Sequence, residues 1–180
     1  MTDATLWPHW HRAARDPGID AALRALYAEL DADIAARGPT CWQSGRCCRF
    51  ASFDHRLYVT GLEIAWFLQQ NAALDPKSEI RNSQSEIHRL PILHDGVEAC
   101  PYQRNNLCTT HAIRPLGCRI FFCQQGTEQW QQELYETYLA RLRRLHDEHG
   151  LPYRYMDWLA GLLAAAGTPR MNTDSDKGGL

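Results

Sequence analysis

A chain of 180 residues, 44% of them apolar, has the size of one domain with a core of its own. Its 19 Lys plus Arg trail its 21 Asp plus Glu, giving a formal net charge of −2, which excludes the basic footprint that grips phosphate backbones; no nucleic-acid partner is expected. No apolar run reaches the roughly 20 residues of a membrane helix and residues 1–18 carry no export signal, so the expectation is a soluble cytoplasmic protein with no membrane partner.

Residues 1–15 hold Trp7, His9, Trp10 and His11 and read as an N-terminal surface arm. Asp16 and Pro17 supply a cap and a first-turn proline; Ile19, Leu23, Leu26, Tyr27, Leu30 and Ile34 then recur at helical spacing until Arg37, Gly38 and Pro39 stop the helix. Gly38 to Phe50 has turn formers and no periodicity, which predicts an irregular loop. A short strand is expected over Arg56 to Val59, and Thr60 with Glu63 makes a capping box ahead of a second helix through Ile64, Trp66, Phe67 and Leu68. A third helix is expected between Pro76 and Pro91, and Asp95-Gly96 signals a hairpin over Pro91 to Val97.

Further on, Thr127 is placed to cap a long helix whose inner face is Trp130, Leu134, Tyr138, Leu142 and Leu145, ending before Gly150 and Pro152. His146 and His149 in its last turn read as partners of the helix C-terminus. Trp158 to Ala166 is a final packed helix, and residues 168–180 have nothing to bury and are expected to be a disordered tail. The resulting fold class is mainly α with a small β-hairpin and irregular metal-binding loops, in one domain over residues 16–167 with its core at 41–123.

All seven cysteines fall in two short segments: Cys41, Cys47 and Cys48 in one, Cys100, Cys108, Cys118 and Cys123 in the other. An odd count in a reducing compartment argues against a disulfide scaffold, and crowding beside Gly, Pro and Arg argues against ordinary core cysteines. One metal centre assembled from both segments is the reading that remains. Neighbouring Cys47 and Cys48 diverge along an extended backbone, so they suit two irons or two sites better than two corners of one metal. Paired Cys-x-x-Cys knuckles, the usual mark of zinc modules, are absent; the nearest pattern is Cys108 with His111. The same absence counts against a thiol redox enzyme working through Cys47 and Cys48 or Cys118 and Cys123. Sulfur ligands alone leave iron and zinc both open.

Thiolate centres carry excess negative charge, and Arg46, Arg49, Arg114 and Arg119 stand within four residues of a cysteine, where they can lower thiol pKa values and donate to sulfur. Ile113, Leu116, Ile120, Phe121 and Phe122 form an apolar wall or plain core. Gly45 and Gly117 mark a left-handed backbone or a close approach, and Pro101 and Pro115 stiffen the same loops.

The blocks Cys41-Trp-Gln-Ser-Gly-Arg-Cys-Cys48 and Cys100-Pro101, Cys108, His111, Arg114-Pro115, Cys118-Arg119 resemble the YkgJ-type cysteine-cluster family, also described as a putative zinc- or iron-chelating domain, over about residues 41–123. The departure is Ser44, where the family pattern has a second cysteine. The resemblance implies metal binding by all seven cysteines, with Ser44 either a weak oxygen ligand or the mark of an open position. A larger relative, the bacterial flagellin lysine methylase, combines such a block with an iron–sulfur cluster and S-adenosylmethionine, which favours a cluster over zinc. The present chain has neither a Gly-x-Gly-x-x-Gly loop nor the Cys-x-x-x-Cys-x-x-Cys run of radical enzymes, so methylation is not implied. The expectation is thus a small metalloprotein with an iron–sulfur cluster, [4Fe–4S] first, for redox, group-transfer or sensing chemistry with a redox or protein partner, and a structural or chelating zinc module as the alternative.

Overall fold

The computed structural model describes residues 3–74 and 99–167. The third helix expected before Pro91, the hairpin at Asp95-Gly96 and the tail from 168 lie outside the described residues.

The best-capped element is helix α2, Pro17–Arg37. Asp16 Oδ1 accepts from the backbone N–H groups of Gly18 (2.8 Å) and Ile19 (3.1 Å), and Gly38 closes the other end in the left-handed region at φ 62°. Its buried stripe is the predicted one, Ile19 through Ile34. Ahead of it, the expected arm is a helix, α1 (Asp3–Ala13), and it belongs to the core. Trp7 and Trp10 are three residues apart, share a helix face and are fully buried, 5.0 Å apart edge to face. The Trp10 indole N–H donates to the carbonyl of Pro152 at 2.8 Å, tying the two ends of the described chain together. Two buried indoles outweigh the polar residues around them, and that is why an arm read from composition is a packed helix.

Strand β1 (Tyr58–Thr60) leads into helix α3 (Gly61–Leu74). The capping box forms as predicted: Thr60 N–H donates to Glu63 Oε2 at 2.8 Å and Glu63 N–H to Thr60 Oγ1 at 3.2 Å. Gly61 is required by the packing of α1 on α3, because a Cβ there would stand 2.4 Å from the Trp10 ring. A two-residue-per-strand hairpin, β2 (Gln103–Arg104) and β3 (Leu107–Cys108), turns at Asn105 and Asn106, both at positive φ (50° and 65°), the geometry of a primed two-residue turn.

Short helix α4 (Leu116–Ile120) is followed by the long α5 (Glu128–Glu148), whose buried residues include the predicted Leu134, Tyr138, Leu142 and Leu145. Thr127 stands at its N-cap without a side-chain cap bond, because its hydroxyl donates to the Gln124 carbonyl and accepts from the Gln131 amide. Strand β4 (Tyr155–Asp157) pairs antiparallel with β1, and Asp157 then caps α6 (Trp158–Ala166) through the N–H of Ala160 at 2.9 Å. One continuous apolar core draws on all six helices among the described residues. The fold is mainly α with small antiparallel sheets, and it reads as one domain in which α1 is included.

Candidate metal centre

The first cysteine segment enters a single 3-10 turn, Arg46–Cys48, from Gly45. Gly45 is left-handed at φ 71°, and a Cβ there would lie 2.6 Å from Gln103 Nε2 and 3.0 Å from Asn106 Oδ1, so the loop and the β2–β3 hairpin meet at a position that excludes any side chain. Gln103 Nε2 donates to the Gly45 carbonyl at 2.8 Å, and Cys100 N–H to the Cys48 carbonyl at 2.7 Å. These backbone bonds join the two cysteine segments directly. The turn also reverses the expectation for the adjacent pair. Its backbone is 3-10 and not extended, so Cys47 and Cys48 do not diverge; their sulfurs are 3.8 Å apart.

Three further sulfurs, Cys100, Cys108 and Cys118, are linked to that pair electrostatically, making a group of five. Cys48 hydrogen-bonds to Cys100 and Cys47, which holds its own thiol protonated and far above the ordinary range. The same thiol pulls Cys47 down to about 6, with burial opposing and the Arg114 guanidinium assisting. Cys100 is likewise lowered, first by Cys48, and further by the Trp158 indole N–H. That indole N–H is buried near Cys100 without completing a hydrogen bond. Cys118, on α4, is pushed well up by burial and by the charges of Cys100, Cys108 and Cys47, with Arg114 opposing. Cys108 closes the group from β3, its sulfur 3.6 Å from Thr110 Oγ1. Among the described residues no three His, Cys, Asp or Glu side chains stand at the mutual spacing of a formed metal site. The donor set is nevertheless all sulfur with a half-buried guanidinium beside it, which is chemistry that fits a soft metal or an iron–sulfur cluster.

The two remaining cysteines have other neighbours. Cys123 pairs with Ser44, Oγ to Sγ at 3.4 Å, so the residue at the departure from the family pattern faces a sulfur. Cys41 is exposed and has no hydrogen bond to another sulfur among the described residues. Its loop is anchored next door, where Thr40 N–H donates to Gln124 Oε1 at 2.9 Å.

The four predicted arginines also separate. Arg114 alone faces the thiolates, its chain steadied by donation to the carbonyls of His111 (3.0 Å) and Cys118 (3.2 Å). Arg119 is buried and fully engaged by Asp31 (2.6 Å) and the carbonyls of Arg114 (2.7 Å) and Ala112 (2.8 Å), with the Tyr27 ring beneath it. It shapes the loop that carries Arg114. Arg49 is exposed and bonds Asn106 of the hairpin, and Arg46 is exposed over the Phe53 ring. His111 is exposed, and its carbonyl serves Arg114. His9 is exposed while His11 lies beside Trp7, and the buried His146 bonds Pro152, so neither histidine pair joins the sulfurs.

What positions Cys118 is a group that motif reading left out. Glu63 is buried, and besides closing its capping box it accepts from Tyr27 Oη (3.0 Å) and from the N–H of Leu116 (2.9 Å), the first residue of α4. Burial raises its pKa while those donors oppose the rise. Ile113 and Leu116 are plain core, whereas the buried Ile120, with Phe121 and Phe122, lines a cavity of about 700 Å3. Cys47, Cys118 and Cys123 stand in its wall, so the sulfur group has an open side. His55, Trp158 and Glu63 belong to no cysteine spacing; only the fold brings them to the sulfurs.

No family model matches the chain, and no curated protein and no solved structure matches it.

Proposed function

We propose that the protein is a metalloprotein of the YkgJ kind that holds an iron–sulfur cluster, [4Fe–4S] before other types, through Cys47, Cys48, Cys100, Cys108 and Cys118, for redox, group-transfer or sensing chemistry in the cytoplasm. The observation that carries this reading is the convergence of five thiols from separate segments, three of them (Cys47, Cys108 and Cys118) beside Arg114, with no carboxylate among the candidate ligands. Four sulfurs saturate either a zinc ion or a cubane, which leaves one thiol of the five over. The open side at Cys47 and Cys118 supports a working centre over a closed structural one. Arg114 offsets thiolate charge, the unpaired Trp158 indole N–H stands near Cys100, and Glu63 fixes the helix that presents Cys118. A bound cluster would supply electron transfer or a Lewis-acidic iron at the cavity wall.

One observation favours a second reading. With a Zn–S bond of about 2.3 Å, two thiolates on one tetrahedral metal stand about 3.8 Å apart, which is the separation of Cys47 and Cys48. Zinc bound there would make the protein a structural or chelating module.

Purification without oxygen followed by metal, acid-labile sulfide and visible-absorption analysis decides between them. The cluster reading expects a brown protein with iron and sulfide in equal amounts. A colourless protein with stoichiometric zinc and no sulfide overturns it.

A further inference from the structure

The cavity beside the sulfurs is lined by the larger part of the molecule's exposed aromatic surface. Five large apolar side chains are exposed among the described residues, and three of them, Phe53, Tyr58 and Phe121, line this one cavity. Exposed rings concentrated at one concavity mark a binding surface, because scattered ones would cost nothing to leave apart. Their arrangement is ordered. His55 stacks on Phe121, centroids 5.1 Å apart and planes within 10°, and is held edge-on by Phe50 at 5.4 Å. Tyr58 is stacked against Tyr155 at 5.6 Å. A flat ring entering the cavity therefore meets ring faces and edges already fixed in place.

Charge at the lining is unbalanced in the same place. Arg46 and Arg56 contribute two guanidinium groups against the single carboxylate of Glu128. Arg46 lies over Phe53 at 4.6 Å, and Arg56 is mostly exposed and approaches Asp157 only to 3.8 Å, too far for a strong bond. Both can take up an anion. The amides that share the lining are largely committed: Gln131 bridges the Phe122 backbone and Thr127, and Gln124 receives the Thr40 N–H.

We propose that this cavity binds a small planar aromatic acid, its ring among Phe53, Tyr58 and Phe121, its carboxylate toward Arg56 and Arg46, and its far edge against Cys47 and Cys118. The volume of about 700 Å3 is ample for such a molecule. The consequence of binding, delivery of a substrate to the metal edge, rests on the metalloprotein reading; the walls that bind the ring do not.

The test is a benzoate titration of the protein, both metal-free and as purified without oxygen, following the His55 ring by NMR and, where a cluster is present, its visible spectrum. A saturable shift of His55 is expected in both forms. Benzyl alcohol and cyclohexanecarboxylate should bind about three- to ten-fold more weakly, the range set by one lost charge contact or one lost ring contact. Phe121→Ala, at a position 39% exposed and so without a core to disturb, should weaken benzoate similarly, and Arg56→Gln should weaken benzoate while leaving benzyl alcohol unchanged. If the protein as purified without oxygen contains no iron, sulfide or zinc and His55 still shifts, the metal reading is refuted and the cavity upheld. Absence of a saturable shift in protein with an intact circular-dichroism spectrum, or benzylamine binding as tightly as benzoate, overturns the proposal.

Discussion

Glu63 and Cys118 are organised around the same short helix, and they are opposites. At the N-terminus of α4, Glu63 is closed: both carboxylate oxygens are used, by two backbone N–H groups and one phenol, with no water needed. On the same helix, Cys118 is half-buried at the cavity wall, and desolvation together with the charges of other sulfurs raises its pKa, with one guanidinium to offset them. Every donor around Glu63 has its acceptor, which is how buried polar groups are ordinarily tolerated. Cys47, Cys48 and Cys100 hydrogen-bond to one another, and Cys118, whose ionisation the neighbouring sulfur charges oppose, gains most from a cation or cluster that takes their charge. The contrast separates a frame that stands alone from the sulfur group on which the proposed metal reading rests.

The largest expected effect breaks the frame. Glu63→Ala leaves the N–H groups of Thr60 and Leu116 and the Tyr27 hydroxyl without an acceptor, which should cost roughly 3–5 kcal/mol, at one to three for each orphaned group without full additivity. A urea midpoint lowered by that amount, with Glu63→Gln in between, is the expected result. Next comes Arg119→Met, which removes the ion pair with Asp31 and two buried carbonyl contacts and should cost about 2–3 kcal/mol in the same measurement. Because Arg119 holds the loop of Arg114, the variant should also retain less metal, whereas Arg49→Gln on the hairpin surface should leave metal content unchanged.

Third, the centre itself can be read without a metal. With Cys47 lowered to about 6, its alkylation by iodoacetamide in metal-free protein should rise with pH around 6, two to three units below an ordinary thiol. Cys48→Ala, which removes the donor, should move that rise upward. The smallest effect lies in the frame again. Burial lowers the pKa of His146, so the folded protein prefers it neutral. The unfolded chain takes up that proton first as pH falls, so stability is fully present above about 6.5 and declines below it. His146→Gln should flatten that decline in urea midpoints measured at successive pH values.

The helices were legible wherever apolar spacing and caps agreed: α2, α3, α5 and α6 lie where Asp16, Thr60, Thr127 and Trp158 put them. Helix α1 was not, because Trp7 and Trp10 bury by meeting Gly61 and Pro152, partners far along the chain, while their sequence neighbours are polar. The β2–β3 hairpin was missed because Asn105-Asn106 has only Leu107 as an apolar flank, too little alternation to signal a turn. Within the candidate site, the cysteine segments were readable from spacing, whereas the engagement of Arg119 by Asp31 and two carbonyls in place of sulfur was not. The division into five gathered sulfurs, the Ser44–Cys123 pair and the exposed Cys41 was not, since spacing does not say that Arg46–Cys48 curls into a 3-10 turn. Glu63 shows the same limit: its capping box is local and visible, its bond to Leu116 is not.

The most direct test compares metal and acid-labile sulfide in Cys118→Ser and Cys41→Ser, purified without oxygen beside the parent. The account predicts that Cys118→Ser loses the metal and sulfide of the parent while Cys41→Ser keeps them. Equal loss in both variants would contradict it, placing the exposed Cys41 among the ligands and dissolving the five-sulfur centre.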